Sequence, residues 1–115
     1  MDALSRDERP WGFYEILHQE PGIQIKRITV TAGNRFSLQT HEHRAEHWFI
    51  TAGDGYVTKN GWVHHVTPGS VVVIEKGDQH RAQAAKNNDL VFLEVQVGSY
   101  LGEDDIVRLE DDYGR

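Results

Sequence analysis

The 115-residue chain contains no cysteine, one methionine and three prolines. Without cysteine there is no disulfide framework and no thiolate metal site, so a bound metal would rest on nitrogen and oxygen donors. No apolar stretch approaches the roughly 18 residues of a membrane span, and the opening MDALSRDERPWG is charged, with no apolar h-region. These absences set the expectation of a cytoplasmic chain with no membrane partner. Positive charge is scarce too: 12 Lys and Arg against 18 Asp and Glu leave a net charge of −6. Nucleic acid is therefore not an expected partner, because phosphate-backbone binding wants a basic surface. Much of the acidity falls late, at Glu103, Asp104, Asp105, Glu110, Asp111 and Asp112, and reads as a solvated edge or tail. The length sets one domain, residues 1–115, as the expected count.

A sustained 3.6-residue apolar stripe is also missing. The nearest approach is GEDDIVRLEDDY (102–113), which is expected to form at most a helical turn or two. What is present is alternation with period two, in brief runs punctuated by Gly, Pro, Asn and Asp. Strands are expected at residues 13–18, 22–30, 46–52, 55–59, 61–66, 70–75, 80–84 and 89–97. Asn60-Gly61 is the strongest hairpin signal, since a type I′ turn needs positive φ at both central residues. Eight short strands in about 100 residues indicate an all-β sandwich or small barrel.

Two polar blocks bounded by glycine stand out. The first, residues 33–53, runs from Gly33 through Gln39, His41 and Glu46 to Gly53; the second, residues 69–84, runs from Gly69 through Glu75, Gly77 and His80. In spacing they resemble the two motifs of the cupin superfamily, whose fold is a double-stranded β-helix or jelly-roll barrel. Gln39 then stands in the first-histidine position, Glu75 in a proline position and Ala84 in an asparagine position. Gln39 and His41 are two apart and project to one face of a strand, while Glu46 and His80 arrive from other strands. Four N and O donors converging in a barrel mouth suit one divalent ion, zinc first, with Mn, Co, Ni or Fe as alternatives. A second register stays open: His41, His43 and His47 have the same parity and, with His80, would give a histidine-rich site. His18, His64 and His65 are assigned no chemistry.

Three further stretches narrow the resemblance. RPWGFYEIL (9–17), SLQTHEHRAEHWFITAG (37–53) and GSYLGEDDIVRLEDDYGR (98–115) are similar to the cupin domain of type II mannose-6-phosphate isomerases. That domain usually forms the C-terminal part of bifunctional guanylyltransferase/isomerase enzymes. The likeness runs from about residue 9 to the end. Departures are local: Phe36 for leucine, Thr40 for a bulky residue, Asp78-Gln79 for Thr-Pro and Gln83-Ala84 for Glu-Asn. No Gly-rich nucleotide-binding segment is seen, so guanylyl transfer is not expected of this chain.

The resemblance implies metal-dependent interconversion of mannose 6-phosphate and fructose 6-phosphate through a cis-enediol. Such chemistry needs carbonyl polarisation and a base that moves a proton between C2 and C1. His43 is the first candidate for the base, followed by Glu94 and by His47 if it faces inward. Arg44 is the first candidate for the phosphate, with Arg81, Arg108 and Arg115 as alternatives; for each, a surface salt bridge is the competing reading. Trp11, Trp48 and Trp62 are read first as core residues, or else as sugar-pocket walls. The terminal RPWG and YGR segments are expected to cover sheet edges or pair across a homodimer. Two other functions remain open: a non-catalytic sugar- or sugar-phosphate-binding cupin, and another cupin enzyme such as a metal dioxygenase or a nucleotide-sugar epimerase.

Overall fold

A computed structural model describes residues 2–114; Arg115, one of the phosphate candidates, lies outside the described residues. Eleven strands follow in chain order: β1 (Ser5–Arg9), β2 (Gly12–Glu20), β3 (Ile23–Val30), β4 (Leu38–Thr40), β5 (Arg44–Ala52), β6 (Gly55–Lys59), β7 (Trp62–Val66), β8 (Val71–Ile74), β9 (His80–Ala84), β10 (Leu90–Gly98) and β11 (Val107–Glu110). Six of them form one antiparallel sheet in the order β1-β2-β3-β10-β5-β8. The other five form a second, in the order β11-β4-β9-β6-β7. The sheets face each other across a core that includes Trp11, Phe36, Trp48, Ile50, Val57 and Phe92. This is the all-β barrel expected from the alternation. Among the described residues there is no helix, and so none long and apolar enough to cross a membrane.

The expected strands are present, with ends moved by a residue or two. Asn60 and Gly61 take φ values of 49° and 84° between β6 and β7, as a type I′ hairpin requires. Three strands were not expected. One of them, β11, overturns the helical-turn expectation for the tail: Val107 pairs with Thr40 and Arg108 with Gln39. Four residues of alternation are too few to distinguish from a helical pattern, and the ladder on β4 decides the outcome by satisfying backbone groups.

Strand register determines where the polar residues go. Across β2, β3, β10 and β5, Tyr14, Ile28, Phe92 and Ile50 form one inward row. The next row toward the mouth brings Lys26, Glu94 and Trp48 side by side on β3, β10 and β5, and the row beyond it brings Gln24, Gln96 and Glu46. The interior of the larger sheet thus passes from apolar at its floor to charged and amide-bearing at its mouth. Two glycines make the close packing possible. At Gly12, in the RPWG segment, a Cβ would lie 2.0 Å from the Thr29 carbonyl oxygen. At Gly53, which closes the first polar block, φ is +75° and a Cβ would lie 1.7 Å from the Asp89 oxygen.

Candidate metal centre

His41, Glu46 and His80 are all buried, and one donor atom from each lies within 4.8 Å of the others. Glu46 faces inward from β5. His80 opens β9 beside Gln39 of β4, and His41 follows the end of β4. Each histidine ring is fixed by a main-chain carbonyl. His41 Nδ1 donates to the Asp105 carbonyl at 2.6 Å, and His80 Nδ1 donates to the Asp78 carbonyl at 2.9 Å. With the proton on Nδ1, both Nε2 lone pairs point toward Glu46, at 3.3 Å from Oε2 for His41 and 3.9 Å from Oε1 for His80. An accepting carbonyl on the far ring nitrogen is the support that metal-ligating histidines ordinarily have.

The electrostatics favour neutral imidazoles. Burial, reinforced by the Arg44 charge, pushes His41 down to about 4 against the pull of the Asp105 carbonyl; burial likewise lowers His80. His80 Nε2 is buried with no hydrogen-bond partner. An orphaned lone pair in the interior is costly, and a divalent cation is the group that would satisfy it. The donor set of two neutral nitrogens and one carboxylate therefore fits a metal ion of the zinc, manganese, iron or nickel kind.

Three further buried Arg, Glu or Lys side chains share this cavity. Arg44, only 6 % exposed, donates from Nε to Glu46 Oε2 at 2.8 Å and approaches His41 Nε2 with Nη2 at 3.3 Å. Burial works against its charge, but Glu46 and Glu94 outweigh it and hold the guanidinium protonated. Glu94 is the second buried carboxylate. Burial first, and then the neighbouring Glu46, raise it to about 8, with Lys26 and Arg44 opposing. Gln96 donates to it at 3.4 Å, Gln24 donates to Gln96 at 2.9 Å, and Gln19 donates to Gln24 at 2.6 Å. This file of amides runs from the surface to the Glu94 carboxylate. Trp48 Nε1 donates to the remaining Glu46 oxygen at 2.9 Å, and its ring stacks on Phe92 at 4.5 Å. Lys26 is the third charged group, 3 % exposed on β3.

A cavity opens to solvent beside these groups. It gathers Gln39, His41, Arg44, Glu46, Glu94 and Arg108 among its walls. His80 meets it through Glu46 and through Trp48, 5.8 Å away ring to ring. Gln39 turns its Oε1 to the Ser37 hydroxyl, which donates at 2.9 Å.

Other expected residues are not brought here. His43 points outward: its side chain is 52 % exposed, it bonds Asp105 Oδ1 at 3.1 Å and it meets Tyr100 edge-on. His47 is exposed on the outer face of β5. The rival histidine-rich register fails because β4 ends at Thr40 and β5 begins at Arg44, so a turn breaks the parity of positions 41, 43 and 47. Arg81 is buried outside the cavity, donating to the Phe36 carbonyl at 2.9 Å and the Glu110 carbonyl at 3.3 Å. It ties β9 to the tail. Trp62 is 74 % exposed, whereas Trp11 and Trp48 are core residues that reach the cavity. Lys26, Gln24 and Gln96 were not singled out in the sequence, and Asp105, expected there within a solvated acidic run, is buried instead. Lys26 shares its face of IQIKRITV with Ile28 and Val30, and that parity was the available signal.

A family model described as Mannose-6-phosphate isomerase C-terminal matches residues 2–111. The chain belongs to this family. Among relatives of the family is a mannose-1-phosphate guanylyltransferase of Klebsiella pneumoniae, 48 % identical over 107 residues, which is 93 % of this chain and 23 % of that protein. Another is the alginate biosynthesis protein AlgA of Pseudomonas aeruginosa, 43 % identical across the whole chain and 26 % of the relative. The chain thus spans about a quarter of the length of these relatives. Solved structures support the fold. The capsular polysaccharide assembling protein CapF of Staphylococcus aureus superposes with a TM-score of 0.82 at 17 % identity, over 96 % of this chain and 33 % of that one. A double-stranded β-helix protein of Klebsiella pneumoniae gives 0.73 at 17 % identity, over 84 % and 83 %. The fold is accordingly the double-stranded β-helix that the cupin resemblance implied.

Proposed function

We propose that this domain is a metal-dependent aldose–ketose isomerase that interconverts mannose 6-phosphate and fructose 6-phosphate. The observation that carries the reading is the His41–Glu46–His80 donor set, with its two neutral imidazoles, at a cavity that also holds a second buried carboxylate, Glu94. Family membership and the relatives that act on mannose phosphates support the same substrate class. His41, Glu46 and His80 would hold the ion, with the Gln39 amide as a fourth donor. A divalent ion in this position supplies carbonyl polarisation and stabilises developing enediolate charge.

The protein's own groups do the rest. Glu94 is placed to take a proton from one sugar carbon and return it to its neighbour, because it lies in the cavity yet outside the donor set. It replaces His43 as the base, since His43 faces solvent on the other side of the Asp105 carboxylate. Gln96 orients the Glu94 carboxylate. Arg44 holds the Glu46 carboxylate, and Trp48 closes the floor and excludes water from below. The oxygenase alternative depended on His43 and His47 as ligands, and neither is near the centre. Two copies of the domain are proposed to pair through β7, an edge strand without Lys, Arg, Asp or Glu; a monodisperse monomer in sedimentation would refute that pairing.

The test is a coupled assay of mannose 6-phosphate conversion, on chelated protein reloaded with Zn²⁺, Co²⁺, Mn²⁺ or Ni²⁺ in turn. Turnover with at least one ion is expected. Its absence with all four overturns the isomerase reading and leaves sugar-phosphate binding without catalysis.

A further inference from the structure

Lys26 is the one buried cation of the cavity that neither the donor set nor the proton-transfer group requires. Its side chain is 3 % exposed, and its Nζ sits 4.1 Å above the Tyr14 ring and 2.5 Å from Glu103 Oε2. Glu103 is unlike its partner: 51 % exposed, it comes from the connection between β10 and β11 and reaches inward over the mouth. Arg9 stands over the same Tyr14 ring at 5.1 Å, and its Nη2 donates to the Tyr14 hydroxyl at 3.2 Å. Arg108 comes to the same cavity from β11. In a chain of net charge −6, three cations thus line one cavity, and two of them, Lys26 and Arg9, meet at the Tyr14 ring.

The location matters. Lys26 pairs in register with Glu94 on β10, and the β5 strand carrying Glu46 is the next one over. Two strand spacings put Lys26 about 10 Å from the donor-set strand. A molecule reacting between the donor set and Glu94 would therefore have a substituent several carbons away lying against Lys26.

We propose that Lys26, flanked by Arg9, is the subsite for a phosphate monoester, and that the Glu103 carboxylate occupies it as an internal competitor until the ligand's phosphate displaces it. The inference rests on the isomerase reading for its substrate class. A buried ammonium cannot be left without a counter-ion, so a neutral sugar has nothing to offer in exchange for Glu103. A phosphate brings more charge than the carboxylate it replaces and more acceptor oxygens, which Arg9 can share. Displacement also frees Glu103 into solvent, where it is already half exposed. The exchange is therefore selective for phosphorylated ligands.

The experiment is calorimetric titration of the full chain with inorganic phosphate, mannose 6-phosphate and mannose, in the wild type, Glu103→Gln and Lys26→Met. Removing the competitor raises the fraction of protein with an open subsite, so Glu103→Gln should bind inorganic phosphate and mannose 6-phosphate about tenfold more tightly. Lys26→Met should weaken both by at least as much, and mannose should bind no variant measurably. Circular dichroism of Lys26→Met verifies its fold, and Glu103→Gln, altered at a half-exposed position, carries the test independently. Unchanged or weaker phosphate binding in Glu103→Gln overturns the proposal, as does full phosphate binding in a folded Lys26→Met. Neither outcome touches the turnover assay: isomerisation with an unresponsive Glu103→Gln removes the subsite alone, and the expected titrations without turnover remove the isomerase reading alone.

Discussion

The Nε2 of His80 faces Glu46 Oε1 across 3.9 Å, and it has no hydrogen-bond partner although it is buried. Every other polar contact of the pair is made: Glu46 receives Arg44 and Trp48, and His80 donates its other nitrogen to a carbonyl.

That relationship makes metal content the first measurement. His80→Ala and His41→Ala should each leave the purified protein with trace metal by elemental analysis, and Gln39→Ala should lower its content. His47→Ala should not, since its side chain is on the outer face. Retained stoichiometric metal in His80→Ala would rule out the assigned donor set.

The two candidate bases separate kinetically. Glu94→Gln should lower kcat by about 10²–10⁴-fold, the range for loss of a positioned acid–base group, while keeping its metal. His43→Ala should retain activity within a small factor, because its imidazole touches Asp105 and Tyr100 rather than the cavity. The opposite ranking would return the base to His43.

Acid stability should depend on Asp105. Its carboxylate accepts the main-chain N–H groups of Glu42 and His43, each at 3.0 Å, and meets His43 Nδ1 at 3.1 Å. Burial works against the charged form, but these donors outweigh it and hold the carboxyl below its ordinary value. A depressed folded-state value means stability that is fully present above about pH 3.9, the unfolded value, and lost as pH falls through the lower folded one. Asp105→Asn should flatten that acid limb in denaturant titrations. At neutral pH, Asp105→Ala should cost about 1 kcal/mol by leaving these partly buried donors without their acceptor.

Glycines offer a contrast of mechanism. Gly53→Ala meets the Asp89 oxygen at 1.7 Å as well as a φ of +75°, whereas Gly61→Ala meets no atom within 4 Å and only a φ of +84°. Urea unfolding should show about 1 kcal/mol of destabilisation at Gly61, from the left-handed backbone alone. At Gly53 the loss should exceed that several-fold, because main-chain atoms must move.

The barrel was legible in the sequence because its longer strands alternate cleanly and its turns carry their own chemistry, as at Asn60-Gly61. Glycine-to-ligand spacing singled out Gln39, His41, Glu46 and His80, of which the structure groups His41, Glu46 and His80 as donors within 4.8 Å of one another. Parity failed between positions 41 and 47, where a turn intervenes and sends His43 outward. Arg81 was misplaced for a related reason: adjacency to His80 puts it on the opposite face of β9. Lys26 was passed over because a lysine in a strand reads as surface, and only its row across to Glu94 shows otherwise. The short strands β4 and β11 were hidden because pairing with distant segments, rather than local pattern, creates them.

The hold of Asp105 on His41 has a consequence for how the chain can be divided. His41 and the carbonyl that fixes its ring are 64 positions apart in sequence, and the supporting residue lies in the segment that joins β10 to β11. Cutting the chain anywhere from 99 to 104 would leave both sheets largely paired, yet it would release the clamp on His41 and the carboxylate on Lys26 together. A protease nick in this connection should therefore act as a remote control on the centre, loosening the His41 ring while the barrel itself stays folded.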